Sequence, residues 1–168
     1  GTFKLDSNRN HLVKDKVNEF LLEKLAELMV STSISLKQKE KVSWSSLKLL
    51  SKRNINFDPK VEEMGFYGKL IEKIKENKLI PVVGNKYISI KDSPYFYNIN
   101  FSEVLVYKEF YDLALYTDDK DIVRLINDLD ISGYPPKEFV KRINKISSKI
   151  LDTKVRARLI SLIADNNS

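Results

Sequence analysis

Apolar residues recur at spacings of three and four along much of the chain, and this period predicts amphipathic α-helices. The strongest pattern begins after Asp15, whose carboxylate is suited to cap a helix N-terminus. Its apolar positions are Val17, Phe20, Leu21, Leu25, Leu28 and Met29. A short helix is predicted next, with Ser43 as its cap. One face of that helix holds Trp44, Leu47 and Leu50.

Later segments repeat the helical period. A second long helix is expected after Pro59, with Gly65 and Gly68 weakening its first turns. Its apolar positions are Phe66, Leu70, Ile71 and Ile74. Three more apolar patterns follow towards the C-terminus: Ile122, Val123, Leu125, Ile126 and Leu129; Phe139, Val140, Ile143 and Ile146; Val155, Leu159, Ile160 and Ile163. Three consecutive helices predict a small C-terminal helical bundle.

Two parts of the chain have the alternation of strands. Residues 79–83 and 87–90 flank Gly84-Asn85, which is typical of a small β-hairpin, and Pro81 favours an edge position for the first strand. Phe3 and Leu5 alternate with polar neighbours and predict a short N-terminal strand. Because turn-forming residues follow it directly, we expect this strand to pair with a distant part of the protein.

The predicted fold class is therefore α+β and predominantly helical, with several amphipathic helices, a small β-hairpin and a C-terminal helical bundle. The 168 residues suit a single domain, 1–168, or two tightly packed subdomains, 1–78 and 79–168. The chain starts without an initiator methionine, and we expect it to be a fragment of a larger protein.

The residue types in the sequence argue against a metal site, a phosphate-binding loop and nucleophilic catalysis. There is no cysteine, and His11 is the one histidine, so a zinc site lacks ligands and no metal residue is predicted. Neither a glycine-rich phosphate loop nor a nucleophile beside a base is found. We therefore predict no catalytic residue, no cofactor in this chain, and no enzyme activity of its own.

Composition also bears on location. Hydrophobic residues make up 42% and charged residues 31%, which is typical of a globular protein that folds. No run approaches the roughly 20 apolar residues that cross a bilayer, and no signal peptide is recognised. We expect no membrane partner and, because cysteine is absent, a cytoplasmic location.

The net charge of +6 allows a nucleic-acid-binding alternative. Its candidate contacts are Lys141, Arg142, Lys145, Lys149, Arg156 and Arg158. Aromatic residues that could stack on bases are Tyr95, Phe96, Tyr97, Phe101, Tyr107, Phe110, Tyr111 and Tyr116. The same residues also fit an ordinary wet helix face and an aromatic core, and the sequence leaves both interpretations open.

The N-terminal run GTFKLDSNRNHL at 1–12, followed by NEFLL at 18–22, resembles the segment that follows the ATPase module in sacsin-like proteins. That module belongs to the superfamily of gyrase, histidine kinases and heat-shock chaperones. A weaker similarity covers the hairpin region, 79–93. Val17 and Asn10 replace a tryptophan and a second arginine that are common in the family, so the chain resembles a bacterial-type relative more than sacsin.

This resemblance implies that the nucleotide site lies in another part of the parent protein. The chain would then act in interdomain coupling or partner binding, with other domains of the parent or a protein client as partners. The predicted interdomain contacts are Phe3, Leu5, Asn8 and Arg9. The Arg9 guanidinium could hold a carboxylate or phosphate in a two-pronged contact, or it could simply fix the turn.

Overall fold

The computed structural model describes residues 2–8, 11–51, 59–96, 104–150 and 152–165, without the side chains at 162, 163 and 165. In these ranges the chain forms seven α-helices and one two-stranded antiparallel sheet, which confirms the α+β, predominantly helical class. The helices are α1 Lys16–Lys37, α2 Ser45–Lys48, α3 Pro59–Glu63, α4 Phe66–Lys75, α5 Lys120–Asp128, α6 Pro136–Ile146 and α7 Thr153–Asp165. The strands are β1 Ile80–Val82 and β2 Lys86–Ile88.

Helix α1 begins where the sequence predicts, because an Asp15 carboxylate oxygen accepts a hydrogen bond from the backbone N–H of Asn18 at 2.8 Å. The helix packs against α2 and α4. Its buried residues are Asn18, Leu22, Ala26, Val30 and Ser33. The apolar stripe predicted from the sequence, which includes Val17, Leu25 and Leu28, is instead largely exposed. That stripe is therefore wrong as a description of the core face.

The second long helix is divided in two. Gly65 adopts a left-handed backbone conformation, with φ of 70°, and separates α3 from α4. Of the predicted apolar stripe, Phe66, Leu70, Ile71 and Ile74 are all buried in the core. The periodicity therefore identified the core face of α4 correctly, while the glycine decided where that helix begins.

The predicted hairpin is confirmed, with Ile80 opposite Ile88 and Val82 opposite Lys86. In the two-stranded sheet β1 is an edge strand, as Pro81 predicts, but its outer side is also hydrogen-bonded. On the side away from β2, the Leu115 N–H donates to the Pro81 carbonyl at 2.9 Å. A single bridge between Val82 and Ala114 continues this contact. Residues 113–115 thus run alongside β1 as a third extended segment.

The N-terminal strand pairs locally, which corrects the expectation of a distant partner. Leu5 forms an antiparallel bridge with Leu12, and the Asp6 N–H donates to the His11 carbonyl at 2.9 Å. These contacts place residues 4–6 alongside residues 11–13. The backbone groups that pair are those of Lys4 and Asp6 with Val13 and His11, so the N-terminal segment finds its partner within the first 13 residues.

Two groups of buried side chains form the interior. The larger combines α1, α2, α3, α4, the hairpin and α5, and it includes Leu22, Leu47, Leu70, Ile80 and Leu125. The smaller joins the segment before Ala114 to α6 and α7. Its buried residues are Val104, Phe110, Leu113, Phe139, Ile143, Ile146, Ile150 and Leu159. Of the three predicted C-terminal helices, α6 and α7 thus share one cluster, whereas α5 packs in the other.

Candidate functional site: an apolar face and a basic cleft

Apolar side chains gather on the surface formed by the N-terminal segment and α1. We call this surface the N-terminal apolar face. It consists of Phe3, Leu5, Val13, Val17, Phe20, Leu25 and Leu28. Leu28 is 62% exposed and Phe20 is 57% exposed, values usual for lysine rather than for large apolar side chains. Val17, Leu25 and Leu28 recur at helical spacing on one side of α1, away from the buried row of Leu22, Ala26 and Val30.

The N-terminal segment is held to α1 by one buried side chain. The Asn18 amide oxygen accepts from the Lys4 N–H at 2.8 Å. Its amide nitrogen donates to the carbonyls of Lys4 and Val13, both at 2.7 Å. Asn18 is fully buried, so it replaces the strand partner that these backbone groups would otherwise need. The segment is thereby fixed next to the first turn of α1.

Charge reinforces this attachment. The Lys4 ammonium lies 3.0 Å from the Asp15 carboxylate. The hydrogen bond from the Asn18 backbone, followed by that from Lys4, lowers the pKa of Asp15. The capping carboxylate is therefore held in the charged form that favours both the helix N-terminus and the contact with the segment.

Of the predicted interdomain residues, Phe3 and Leu5 belong to the N-terminal apolar face, at 41% and 47% exposure. Asn8 is exposed in the turn between Leu5 and Leu12. Arg9 lies outside the described residues. Sequence reasoning missed that Phe20 and Leu28 extend the same face, because it assigned their stripe to the core.

A second surface is a cleft of about 440 Å³ between the hairpin turn, residues 108–112 and α6. We call it the basic cleft. Its lining residues are Lys86, Lys108, Glu109, Tyr111, Asp112, Glu138, Lys141, Arg142 and Lys145. Five of these side chains carry positive charge and three carry negative charge. The cleft brings together three of the predicted nucleic-acid contacts: Lys141, Arg142 and Lys145.

Arg142 is the structural centre of this cleft. Its two terminal nitrogens donate to the two Asp112 carboxylate oxygens at 2.5 and 2.9 Å, and one also donates to the Glu109 carbonyl at 2.6 Å. The guanidinium carbon lies 5.2 Å from the centre of the Tyr134 ring. The hydrogen bonds to Asp112 raise the pKa of Arg142. A guanidinium committed to three neighbours acts as a structural anchor, not as a contact available to a ligand.

Some of the other predicted nucleic-acid contacts are also engaged within the protein, and some lie outside the cleft. The Lys149 ammonium lies 2.8 Å from a Glu109 carboxylate oxygen, and Arg156 donates to the Ile150 carbonyl at 2.5 Å. Arg158 is exposed on α7 but does not line the cleft. Lys141 lies 3.6 Å from the Glu138 carboxylate one turn earlier. Lys145 makes no ion pair with the part of the chain that the structure describes.

Two cationic residues of the cleft were missed by sequence reasoning. Lys86 stands at the start of β2, and Lys108 opens a short 3-10 turn, Lys108–Phe110. Neither belongs to the lysine-rich stretch of the C-terminal helices. Their proximity to α6 arises from tertiary packing, so no local sequence signal could have identified them.

The predicted aromatic group is divided between core and surface. Phe110 is fully buried, and its ring centre lies 6.1 Å from that of Phe139. Tyr95 packs against Tyr134, with ring centres 5.5 Å apart. Tyr111 remains 42% exposed at the wall of the basic cleft. Tyr97 and Phe101 lie outside the described residues.

Other chemistry is limited in the described ranges. No three histidine, aspartate or glutamate side chains there are grouped so as to hold a metal ion. No helix there combines the length and apolar character needed to cross a membrane.

Comparisons with models of known protein families, with curated proteins and with solved structures found no match to this chain. The two surfaces described above are therefore the features of this chain that bear on its function.

Proposed function

We propose that this chain is a non-catalytic segment of a larger sacsin-like, chaperone-type ATPase, in which it couples to the ATPase module through the N-terminal apolar face. The observation that carries this proposal is the exposure of Phe20 and Leu28 on α1 and of Phe3 and Leu5 on the segment that Asn18 holds to the first turn of α1. Several large apolar side chains exposed on two elements that are fixed to each other favour a surface that a partner covers. The face therefore fits a protein-binding role better than a structural one.

The energetic gain from covering this face is large. Burying apolar surface contributes roughly 25 cal/mol per Å², and full burial of a large apolar side chain contributes about 1.5–3 kcal/mol. The side chains of this face are 36–62% exposed, so each contributes roughly half of that amount when a partner covers it. The face combines two phenylalanines with several leucines and valines. This composition matches the apolar centre of a protein interface, where aromatic anchors dominate the binding energy.

The N-terminal segment of this face is already ordered before a partner binds. Asn18 fixes the N-terminal segment with hydrogen bonds to Lys4 and Val13, so little backbone freedom remains to be lost when a partner docks. Charged residues border the apolar residues: Lys24 and Glu27 form an ion pair at 2.8 Å, and the Lys24 ammonium lies 5.6 Å from the centre of the Phe20 ring. An apolar centre with a polar border is the usual arrangement of a specific interface.

The ATPase module is proposed as the partner because the resemblance and the face coincide. The residues that resemble the sacsin-like segment, 1–12 and 18–22, include Phe3, Leu5 and Phe20 of the exposed face. In the proposed arrangement, the ATP-bound and ATP-free states of the module would contact this face differently. The chain would thereby convert nucleotide state into a change of position or of client contact.

Hydrogen exchange on the parent polypeptide tests this function. We expect slower amide exchange in 2–8 and 16–37 when the ATPase module is present, with a further change when a non-hydrolysable ATP analogue is added. Leu28→Lys should abolish both effects. Ile160→Lys is the matched control, because Ile160 on α7 is 68% exposed, close to the 62% of Leu28, and lies outside the face.

The proposal fails if the parent gene encodes no ATPase module next to this segment. It also fails if both lysine variants change exchange equally, because that result would indicate a general effect of added charge. The nucleic-acid alternative stays a prediction, and it has less support because Arg142, Lys149 and Arg156 are engaged in internal contacts.

A further inference from the structure

We infer that the basic cleft is a binding site for a compact ligand with two or more phosphate groups. This inference does not depend on the docking proposal, because the cleft and the N-terminal apolar face share no residue. Three observations carry it: the group of lysines that lines the cleft, the rigid frame that holds them, and the size and mixed charge of the cleft.

The first observation is a concentration of positive charge. Lys86, Lys108 and Lys145 have no ion pair with the described residues. Lys141 has only a long contact of 3.6 Å with Glu138. Four ammonium groups placed around one cleft repel each other, and a polyvalent anion relieves that repulsion. Phosphate oxygens are suitable acceptors for several ammonium groups at once.

The second observation is that the walls of the cleft are fixed to each other. The Gly84 N–H donates to the Tyr111 carbonyl at 2.9 Å, which ties the hairpin turn to the segment before Ala114. A Cβ on Gly84 would lie 2.9 Å from both that oxygen and the Tyr111 Cβ, so only glycine permits this approach. Arg142 joins the same segment to α6 through Asp112. The backbone segments that carry the lysines are therefore held in fixed relative positions before a ligand binds.

The third observation, the size and mixed charge of the cleft, favours a compact ligand over a long one. A volume of about 440 Å³ lies within the range of small-molecule sites, roughly 300–1,000 Å³. Glu109, Asp112 and Glu138 interrupt the positive surface, so an extended nucleic-acid backbone would meet carboxylates along its path. A compact polyphosphate can contact the lysines alone, because Asp112 and Glu109 already face Arg142 and Lys149.

Calorimetric titration of the 168-residue chain with inorganic tripolyphosphate at low salt tests the inference. We expect saturable binding at one site. Lys108→Gln and Lys145→Gln should each weaken it about tenfold, equivalent to roughly 1.4 kcal/mol for a lost charged contact. Both lysines are exposed, so these variants should keep the thermal midpoint of the parent chain. Lys154→Gln, at an exposed lysine of α7 outside the cleft, removes the same charge and should change affinity less than twofold.

Three outcomes would overturn the inference. The first is the absence of saturable tripolyphosphate binding at low salt. The second is an equal loss in Lys154→Gln, which would indicate a general effect of net charge. The third is tighter binding of a 20-nucleotide single strand that weakens equally in Lys145→Gln and Lys154→Gln, which would indicate an extended nucleic-acid surface. Leu28→Lys should leave tripolyphosphate binding unchanged, so this test and the docking test can fail separately.

Discussion

The Trp44 indole N–H donates to the Leu115 carbonyl at 2.8 Å, at the position where an antiparallel ladder would place the N–H of residue 81. Residue 81 is proline and has no N–H. Its carbonyl still accepts from the Leu115 N–H at 2.9 Å, so one of the two hydrogen bonds expected between residues 81 and 115 is made by backbone groups. The Trp44 indole N–H supplies the donor for the second hydrogen bond, and it joins α2 to the segment that covers β1.

Trp44→Phe should destabilise the protein by about 2 kcal/mol, because it leaves the Leu115 carbonyl without its donor in a buried setting. Urea denaturation measures this loss. Tyr87→Phe is the aromatic control, since the Tyr87 hydroxyl makes only long contacts of 3.3 Å with the Ser43 backbone, and it should cost less.

A double-mutant cycle examines the role of Pro81 in this relationship. Pro81→Ala restores an N–H directed at Leu115, so the cost of Trp44→Phe should fall by about 1 kcal/mol in that background. Strict additivity of the two substitutions would show that the indole stabilises the protein by packing alone.

Asn18→Ala should release the N-terminal segment from α1. The substitution removes three hydrogen bonds to Lys4 and Val13, and a cost of about 2 kcal/mol is expected for the described fold. Hydrogen exchange should become faster at Lys4, Asp6 and Val13, with little change at the hairpin. Asn18→Asp retains the acceptor for the Lys4 N–H but places a buried carboxylate against the Lys4 and Val13 carbonyl oxygens, so it should cost at least as much as Asn18→Ala. Unchanged exchange at Val13 in Asn18→Ala would contradict the clamping role.

Arg142→Lys should destabilise the smaller core by about 1–3 kcal/mol, because a lysine cannot hold both Asp112 oxygens and the Glu109 carbonyl together. Lys141→Arg on the same helix is the matched control and should have almost no effect, since Lys141 is exposed. The thermal midpoint in low and high salt measures both variants. A loss that disappears in 1 M salt would indicate simple screening of surface charge instead of this geometry.

Tyr134 should make the protein less stable at high pH. Burial raises the pKa of Tyr134 to about 12 from an ordinary value of about 10. Below about pH 9 the phenol is almost fully protonated in both the folded and the unfolded chain. Between pH 10 and 12 the unfolded chain releases this proton while the folded chain retains it, so the free energy of unfolding falls by up to about 1.4 kcal/mol per pH unit.

Tyr134→Phe should therefore lose less stability than the parent chain between pH 9 and 12. At pH 7 the substitution should be nearly neutral, because the buried Tyr134 hydroxyl has no hydrogen-bond partner among the described residues. Urea denaturation at each pH, with tyrosine absorbance to follow ionisation, measures the difference. Parallel pH profiles for the two proteins would exclude a raised pKa at this position.

The helical parts of the fold follow from local signals. Asp15 predicts the start of α1, and the row of Phe66, Leu70 and Ile74 predicts the buried face of α4. Gly84-Asn85 predicts the hairpin turn, and Asn85 indeed has a positive φ of 53°. These features could be predicted because capping, helical period and turn conformation involve residues within a few positions of each other.

The functional surfaces were much less predictable. In α1, one apolar row contains Val17, Leu25 and Leu28, and another contains Leu22 and Ala26. Period alone shows that each row shares a face, but it cannot show which face α2 and α4 cover. Lys86 and Lys108 were missed for a related reason, since their closeness to α6 depends on contacts between segments far apart in the chain.

The sequence by itself determined the α+β class, most helix positions, the hairpin, the absence of cysteine and the single histidine, because these depend on residue type and local spacing. Tertiary structure alone decided that the apolar row ending at Leu28 faces outwards, that Arg142 is a structural anchor, and that Trp44 replaces the missing N–H of Pro81. The physical reason is that packing selects one face of each helix and assigns each polar group its partner across the chain, choices that local periodicity leaves open.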